Sequence, residues 1–546
     1  MNYAKRMKTY FHNAAVYITL VAVICMNSVT PFSCPESIAK LCSCYTKQIH
    51  KSGLRQVHHY VDCSSREFFK VPFFDFPEGT KLRELRLQNN SILSLSSNDF
   101  HHPIIAERVD ISRNPVGNSL PDAFFSTVVR NVQAIIAREI GLDLQNVSSL
   151  AFTRNAFSLQ ELDLSRNWAY GVDMLPALFI DNNIHSLQNL SLSSCRIRRI
   201  NAHAFIGLVH LHVLDLSQNF LAKVPKAINR LSLLRKLNLS ENDITVLRHG
   251  DFSELHCLQE LDLSKNLLGQ LEAFRNGALF GIGNSLTHLY LHDAHLTNIP
   301  SRMLSELNIL QHLDLSSNKI SVMTNNSFKG KYSLVSLDIS DNPWIIDARM
   351  FHGVGQTLRV LRMRRAGLNY IPTATLQYLQ VLEELDLSFN SLLSINSKDL
   401  HSISARRLLF RGNKIHFISP DAFSHYKRPV DVDISRNELS TLDFIFESEK
   451  CTFYKVNITS NGFLCDCNIE KLISSRRTHI LDGDCALKSG VNVSFNNAIV
   501  EGELEKQCGV SDSSYCIWWI KNNSEHVNEL NIRMFIILIM LTLLTV

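Results

Sequence analysis

His288, Tyr290, His292 and Asp293 place two imidazoles, a phenol and a carboxylate in one short stretch, and His312 follows 24 residues after His288. Imidazole changes charge between pH 5 and 8, so this set could form a pH-sensitive ligand contact, or could simply be solvated surface histidines. A second set is basic: Arg362, Arg364 and Arg365, followed by Arg406, Arg407 and Arg411. Guanidinium forks suit an anionic partner such as a sulfated glycan, a phosphate-bearing lipid or nucleic acid. Glu384 and Asp386 lie between the two arginine groups and could neutralise them instead. The candidate ligand-binding residues are therefore His288, Tyr290, His292, Asp293, His312, Arg362, Arg364, Arg365, Arg407 and Arg411.

Carboxylates recur as well, at Asp110, Asp163, Asp215, Asp262, Asp314, Asp338, Asp386 and Asp433. A cation could sit between neighbours, but no calcium-loop turn accompanies them, and a solvated structural face is the better reading. Two cysteine clusters, Cys34, Cys42, Cys44 and Cys63, then Cys465, Cys467, Cys485 and Cys508, carry Cys-x-Cys spacings that fit either zinc or disulfides. Four cysteines allow three pairings each, and spacing alone does not choose. There is no G-x-S-x-G, no H-E-x-x-H, no phosphate loop and no dinucleotide fingerprint, so no enzyme, no cofactor and no resident metal are expected.

The elements that must carry these residues are repeats. Between residues 82 and 439 the pattern L-x-x-L-x-L-x-x-N-x-L recurs about every 24 residues, which is the leucine-rich-repeat signature. Clear copies begin at Leu82, Leu159, Leu187, Leu211, Leu234, Leu258, Leu286, Leu310, Leu334, Leu358 and Leu382, with weaker ones at Ala106, Val132, Ala405 and Pro429, fifteen in all. In Leu211, Leu214, Leu216, Asn219 and Leu221 the leucines alternate along an extended segment and share one inward face. The asparagine ends the strand, where its amide can satisfy backbone groups left open by the turn. Eighteen residues after each start comes a second mark, Phe100, Phe205, Phe252, Phe328 and Phe423, with Leu304, Leu376 and Leu400 in phase. These predict a spine on the convex side. A single unit cannot bury such a set, so stacked neighbours and capped ends are required. The cysteine clusters flank the repeats and are placed to cap them. On this scheme His288 and His312 occupy neighbouring strands about 5 Å apart.

Charge is nearly balanced, 55 Lys plus Arg against 51 Asp plus Glu, so no whole-molecule field points to nucleic acid or an anionic membrane. Lys5, Arg6 and Lys8 precede an apolar run from Ala14 to Met26, which reads as a secretory leader. Sequons at Asn89, Asn146, Asn189, Asn238, Asn325, Asn457, Asn492 and Asn522 agree with export, and those at Asn189 and Asn238 fall inside strands. Cys195, at an asparagine position, and Cys257, just before Leu258, are expected to be buried thiols, while Cys451 and Cys516 could bridge or stay free. Met534 to Val546 is apolar but spans only about 20 Å as a helix, so it reads as a lipid-anchor signal or a truncated transmembrane segment.

The stretch Cys34-Pro35 through Cys42-x-Cys44 to Asp62-Cys63-Ser64, with Asn461-Gly462-Phe463-Leu464-Cys465-Asp466-Cys467, resembles the caps of extracellular leucine-rich-repeat proteins of the Toll-like receptor ectodomain type, over about residues 34 to 508. That resemblance implies the pairings Cys34 to Cys44, Cys42 to Cys63, Cys465 to Cys485 and Cys467 to Cys508. It also implies a horseshoe whose concave or lateral face takes ligand. The cytoplasmic signalling domain of that group does not follow the final apolar run, so signalling through a co-receptor is expected.

The expected fold is α/β, a leucine-rich-repeat solenoid with a parallel concave β-sheet and disulfide-bonded caps. Its expected divisions are a signal peptide at 1–30, an N-terminal cap at 34–81, repeats at 82–450, a C-terminal cap at 451–508, a stalk at 509–533 and a hydrophobic tail at 534–546. The expected function is receptor-type recognition of a protein or pathogen pattern at the cell surface or in secreted form. The alternative is an adhesion or co-receptor protein on the same solenoid. Candidate partners are a protein or glycan ligand, a signalling co-receptor, a second copy of the chain, and the membrane through the tail.

Overall fold

The computed structural model describes residues 33–51, 54–117, 129–144, 157–168, 174–176, 185–269, 273–274, 276–323, 327–328, 330–347, 349–448, 452–465, 469, 480–487 and 491–495. The chain divides into two compact units, Met1–Asn238 and Leu239–Val546.

In the first unit an antiparallel hairpin, Ser43–Lys51 with Leu54–Asp62, opens the sheet. Tyr45 and Tyr60 stack across it at 5.1 Å, with the Lys47 ammonium 5.3 Å from the Tyr60 ring, a cation–π pair. The second hairpin strand then pairs in parallel with Lys81–Arg86, and each later strand adds to the last: Ile104–Asp110, Ala134–Ile136, Glu161–Asp163, Asn189–Ser191, Val213–Asp215 and Lys236–Asn238. The second unit runs the same way from Glu260–Asp262 through His288–Tyr290, His312–Asp314, Ser336–Asp338, Val360–Arg362, Glu384–Asp386, Arg407–Leu409, Val430–Asp433 and Phe453–Asn457 to Leu481–Asp482. This is a parallel leucine-rich-repeat solenoid of about fifteen turns. Among the described residues the return segments hold only short elements: the 3-10 turns Ser97–Asp99 and Lys226–Arg230, the α-turns Ser301–Ser305, Thr373–Leu376 and Asp443–Phe446, and two-residue strands such as Ser394–Ile395.

The leucines of each strand point inward: Leu214, Leu237, Leu261, Leu289, Leu313, Leu337, Leu361, Leu385 and Leu408 are all buried. The phase-eighteen set, Phe100, Phe205, Phe252, Leu304, Phe328, Leu376, Leu400 and Phe423, is buried too. A residue of either set contributes about 1.5–3 kcal/mol on burial, which no 24-residue unit could collect without neighbours to cover it.

The turn after each strand is the structure's most repeated device. The Asn219 side chain donates to the carbonyls of Leu216 and, one turn back, Leu192, each at 2.9 Å. Its oxygen accepts the N–H groups of Cys195 and Ile197 at 3.0 Å. Asn114, Asn266, Asn318, Asn342, Asn390 and Asn437 make the same bonds in their own turns. The residue before the asparagine is left-handed in turn after turn, from φ 53° at Lys265 to φ 60° at Arg166. Such a conformation is unfavourable for side-chain-bearing residues and persists because the asparagine bonds on both sides over-determine it. At Gly412 (φ 70°) the role falls to glycine, where a Cβ would meet the Phe389 ring at 2.6 Å.

The caps carry Cys34–Cys44, Cys42–Cys63 and Cys465–Cys485. These are three of the four expected pairings; Cys467–Cys508 lies outside the described residues, as do Cys451, Cys516, the leader, the stalk and the tail. Cys195 is buried, its thiol donates to the Leu164 carbonyl at 3.3 Å, and burial pushes its pKa up to about 12. Cys257 corrects the expectation of a buried thiol: it is exposed, lying in the turn ahead of the strand Glu260–Asp262, where Leu258 takes the inward place.

Candidate functional site

On the open face of the second unit, the outward positions of each strand form rows that run across the sheet. Parallel register sets His288 beside His312 and Tyr290 beside Asp314. The two imidazoles stack with ring centroids 4.2 Å apart and planes 9° from parallel. Burial, then the neighbouring His288 and Arg362, hold the His312 pKa below the ordinary histidine value. His288 Nδ1 shares a 2.9 Å hydrogen bond with Thr287 Oγ1, and His292 Nδ1 shares one of 2.8 Å with Ser316 Oγ. Asp293 departs from this face. It occupies the left-handed turn position, its backbone N–H bonds the Ser316 carbonyl, and its carboxylate lies 4.0 Å from His295 Nδ1.

The arginines come together with their own counter-charges. Glu384 bridges two of them, accepting from Arg362 Nη2 at 2.8 Å and from Arg407 Nη1 at 3.2 Å. Arg364 pairs with Asp386, whose side chain is fully buried. Arg365 sits in the next turn position, forks onto Asp341 and lies 5.6 Å from the Phe389 ring centre. Arg411 donates to Ser435 Oγ at 3.3 Å. The basic strip read from sequence is thus a mixed-charge network, in which exposed pairs contribute about 0–1 kcal/mol each and little free positive field.

The aspartate ladder has a local job. The side chains of Asp110, Asp163, Asp215, Asp262, Asp314, Asp338, Asp386 and Asp433 each accept the backbone N–H of the serine two residues on, at 2.8–3.0 Å. That is an Asx-type turn lock at the strand end. Burial raises the pKa of Asp262 and Asp338 above the carboxylate norm. Among the described residues no group of three or more His, Cys, Asp or Glu could hold a metal ion. In the first unit the ends of the strands outline a polar groove of about 550 Å³, crossed by Arg138 paired to Asp163 at 2.5 Å and by the chain Arg113, Glu139 and Arg166.

Of the sequons, Asn89, Asn189 and Asn492 are exposed, while Asn238 and Asn457 are half-buried; Asn146, Asn325 and Asn522 fall outside the described residues. Asn189 and Asn238 lie in strands, as expected, and so does Asn457.

Sequence reasoning missed a flank. Five consecutive repeats of the second unit each expose a large apolar side chain 11 or 12 residues after the repeat start: Val322 (49%), Ile345 (67%), Tyr370 (60%), Leu393 (49%) and Phe417 (46%). Val322 and Ile345 are directly bridged, and the strand Ser394–Ile395 pairs in parallel with Phe417–Ile418. The phase itself was the available signal, since an apolar residue recurring outside the inward positions is not explained by stacking.

The family model described as leucine rich repeat matches residues 185–244, 224–268 and 284–343. Podocan of Mus musculus is 26% identical over 418 residues, 70% of this chain and 63% of that protein. Toll-like receptor 3 of Homo sapiens is 26% identical over 332 residues, 54% of this chain and 36% of the receptor. Oligodendrocyte-myelin glycoprotein of Homo sapiens is 35% identical over 162 residues, 30% of this chain and 34% of that protein. The chain therefore spans less than two thirds of the length of each of these relatives. Among solved structures, the TLR13–ssRNA13 complex superposes with a TM-score of 0.53 at 20% identity, covering 74% of this chain and 62% of that one. The glycosylated Toll–Spatzle complex of Drosophila gives 0.52 at 16% identity, covering 84% and 75%. The chain carries the leucine-rich-repeat fold, and its similarities extend to Toll-like receptors and to podocan-type proteins alike.

Proposed function

We propose that this chain is an extracellular, non-enzymatic binding protein of the receptor type, which recognises a protein or pathogen-pattern ligand in innate immunity and signals through a partner. The observation that carries a binding role is the exposed apolar flank of the second unit, from Val322 to Phe417. Stacking does not require those side chains, and contiguous exposed apolar surface marks interaction sites. The open face supports the same reading in a narrower way: its charges are paired, so it favours a partner that matches a mixed pattern over a uniform polyanion. Likeness to Toll-like receptor 3 supports the receptor assignment. Likeness to podocan over a larger share of the chain supports the second reading, an adhesion or co-receptor protein.

The test immobilises the full chain against microbial polymers and secreted protein ligands, and in parallel displays it on cells to score trans aggregation. Ligand capture that is lost in Val322→Asp combined with Tyr370→Asp, at unchanged thermal midpoint, supports recognition through the flank. Aggregation without ligand capture supports adhesion. Capture undiminished in the double variant would remove the flank from the mechanism.

A further inference from the structure

A second feature lies away from both the open face and the apolar flank. Just before the strands Arg407–Leu409 and Val430–Asp433, the loops ending two consecutive repeats outline an open surface pocket of about 470 Å³. His401 and Arg406 line it from one repeat, and His425, Tyr426, Lys427 and Arg428 from the next. Arg406, Lys427 and Arg428 are exposed, and no ion pair to any of the three is found among the described residues. Among the described residues no carboxylate lines the pocket. This sets it apart from the open face, where arginines of the same stretch are matched by Glu384, Asp386 and Asp341.

Two polar atoms there lack partners. His425 Nε2 and the Tyr426 hydroxyl are both shielded from solvent and make no hydrogen bond among the described residues. The remaining bonding of His425 goes to the Ile403 backbone. Its ring lies 4.0 Å from that of Tyr426 and 5.5 Å from that of His401. Native structures rarely leave buried polar groups unsatisfied, and a site that does so while gathering unpaired cations is arranged for an acceptor with several oxygens.

We propose that this pocket binds a tetrahedral oxyanion carried on a larger molecule, a sulfate or phosphate ester, held by the Arg406, Lys427 and Arg428 cations, with the Tyr426 hydroxyl and His425 Nε2, shielded in the free protein, turning outward to meet it. The anion accepts from the tyrosine O–H and from Nε2–H of a protonated His425. Burial and the neighbouring His401 disfavour that protonated form in the free protein, so His425 takes up a proton when the anion binds. Arg406, Lys427 and Arg428 also oppose the proton, while the anion outweighs them once bound. Binding therefore tightens as pH falls.

The experiment titrates the full chain with inorganic sulfate at constant ionic strength, then with a sulfated heparin-type hexasaccharide, its desulfated counterpart and inositol hexakisphosphate. Sulfate is the clean probe for pH, because phosphate itself changes charge near pH 6. Affinity for sulfate is expected to rise at least threefold from pH 7.5 to 5.5. The triple variant Arg406→Ser, Lys427→Ser, Arg428→Ser is expected to weaken binding of the preferred ester at least tenfold, and Tyr426→Phe at least threefold at unchanged thermal midpoint. A control triple, Arg248→Ser, Arg302→Ser, Lys319→Ser, is expected to stay within twofold. Hexasaccharide binding without inositol hexakisphosphate binding identifies a sulfate ester, and the reverse a phosphate ester. Binding of neither ester overturns the proposal. Equal losses in the two triples overturn it as well, since they reveal a diffuse charge effect.

Discussion

Asn219 shows how much one side chain does in this fold. It satisfies five backbone groups in two turns through buried hydrogen bonds. Asn219→Ala leaves those groups without partners, so a loss of about 2–5 kcal/mol is expected, read from the denaturant midpoint. Ala294 and Ala366 mark two of the turns in which another residue replaces the asparagine, as Ile140 and Cys195 also do. There Asn318 and Asn390, one turn on, accept the N–H groups of the alanines at 3.0 and 2.8 Å. His312 gives a different kind of prediction. Its folded pKa is depressed by burial, His288 and Arg362, so the folded state binds fewer protons than the unfolded chain. Its contribution to stability is present above about pH 6.5, the unfolded value, and is lost as pH falls through the lower folded value. NMR titration of the His312 ring should show a midpoint below 6.5, and His312→Gln should flatten the acid side of the stability profile in that window. A His312 midpoint at or above 6.5 would refute the packing account.

At the scale of the element, a three-residue strand presents two outward positions, and its neighbours decide what they do. Arg364 and Arg365 are adjacent in sequence yet sit in different settings. Arg364 reaches Asp386, a carboxylate with no solvent exposure, whereas Arg365 forks onto Asp341 from a more exposed position in the turn. Removing the first partner strands a buried charge; removing the second breaks a surface pair. Arg364→Ala should therefore cost about 1–3 kcal/mol and Arg365→Ala about 0.2–1 kcal/mol, compared in one denaturation series. Equal costs would mean that solvent reaches Asp386. The Asp-x-Ser lock is also an element-level property: the carboxylate that looks like a ligand in sequence is occupied by its own strand end.

At the scale of the molecule, a solenoid is stable only as a stack, so its first and last turns carry the liability of exposed core. The N-terminal hairpin answers this with two disulfides and a buried lid that includes Ile38, Val61 and Cys63. Cys42→Ser with Cys63→Ser should cost about 2–4 kcal/mol and show first as rapid amide exchange in residues 54–86. Protection lost uniformly along the chain would argue against a local lid. Among the described residues no helix is long and apolar enough to cross a membrane.

The sequence by itself determined the repeat, its phase, the inward leucines, the phenylalanine spine, the strand placement of His288 beside His312 and the presence of caps. All of these follow from periodicity, because a stack repeats one local solution and each copy confirms the others. What a strand meets across the sheet is set by its partner and not by its own residues. Only the tertiary structure could therefore show that the arginines of one repeat are neutralised by the carboxylates of the next, and that Cys257 faces outward. It alone set His425 Nε2 and the Tyr426 hydroxyl, shielded and without a partner among the described residues, in one pocket with three cations that form no ion pair among those residues.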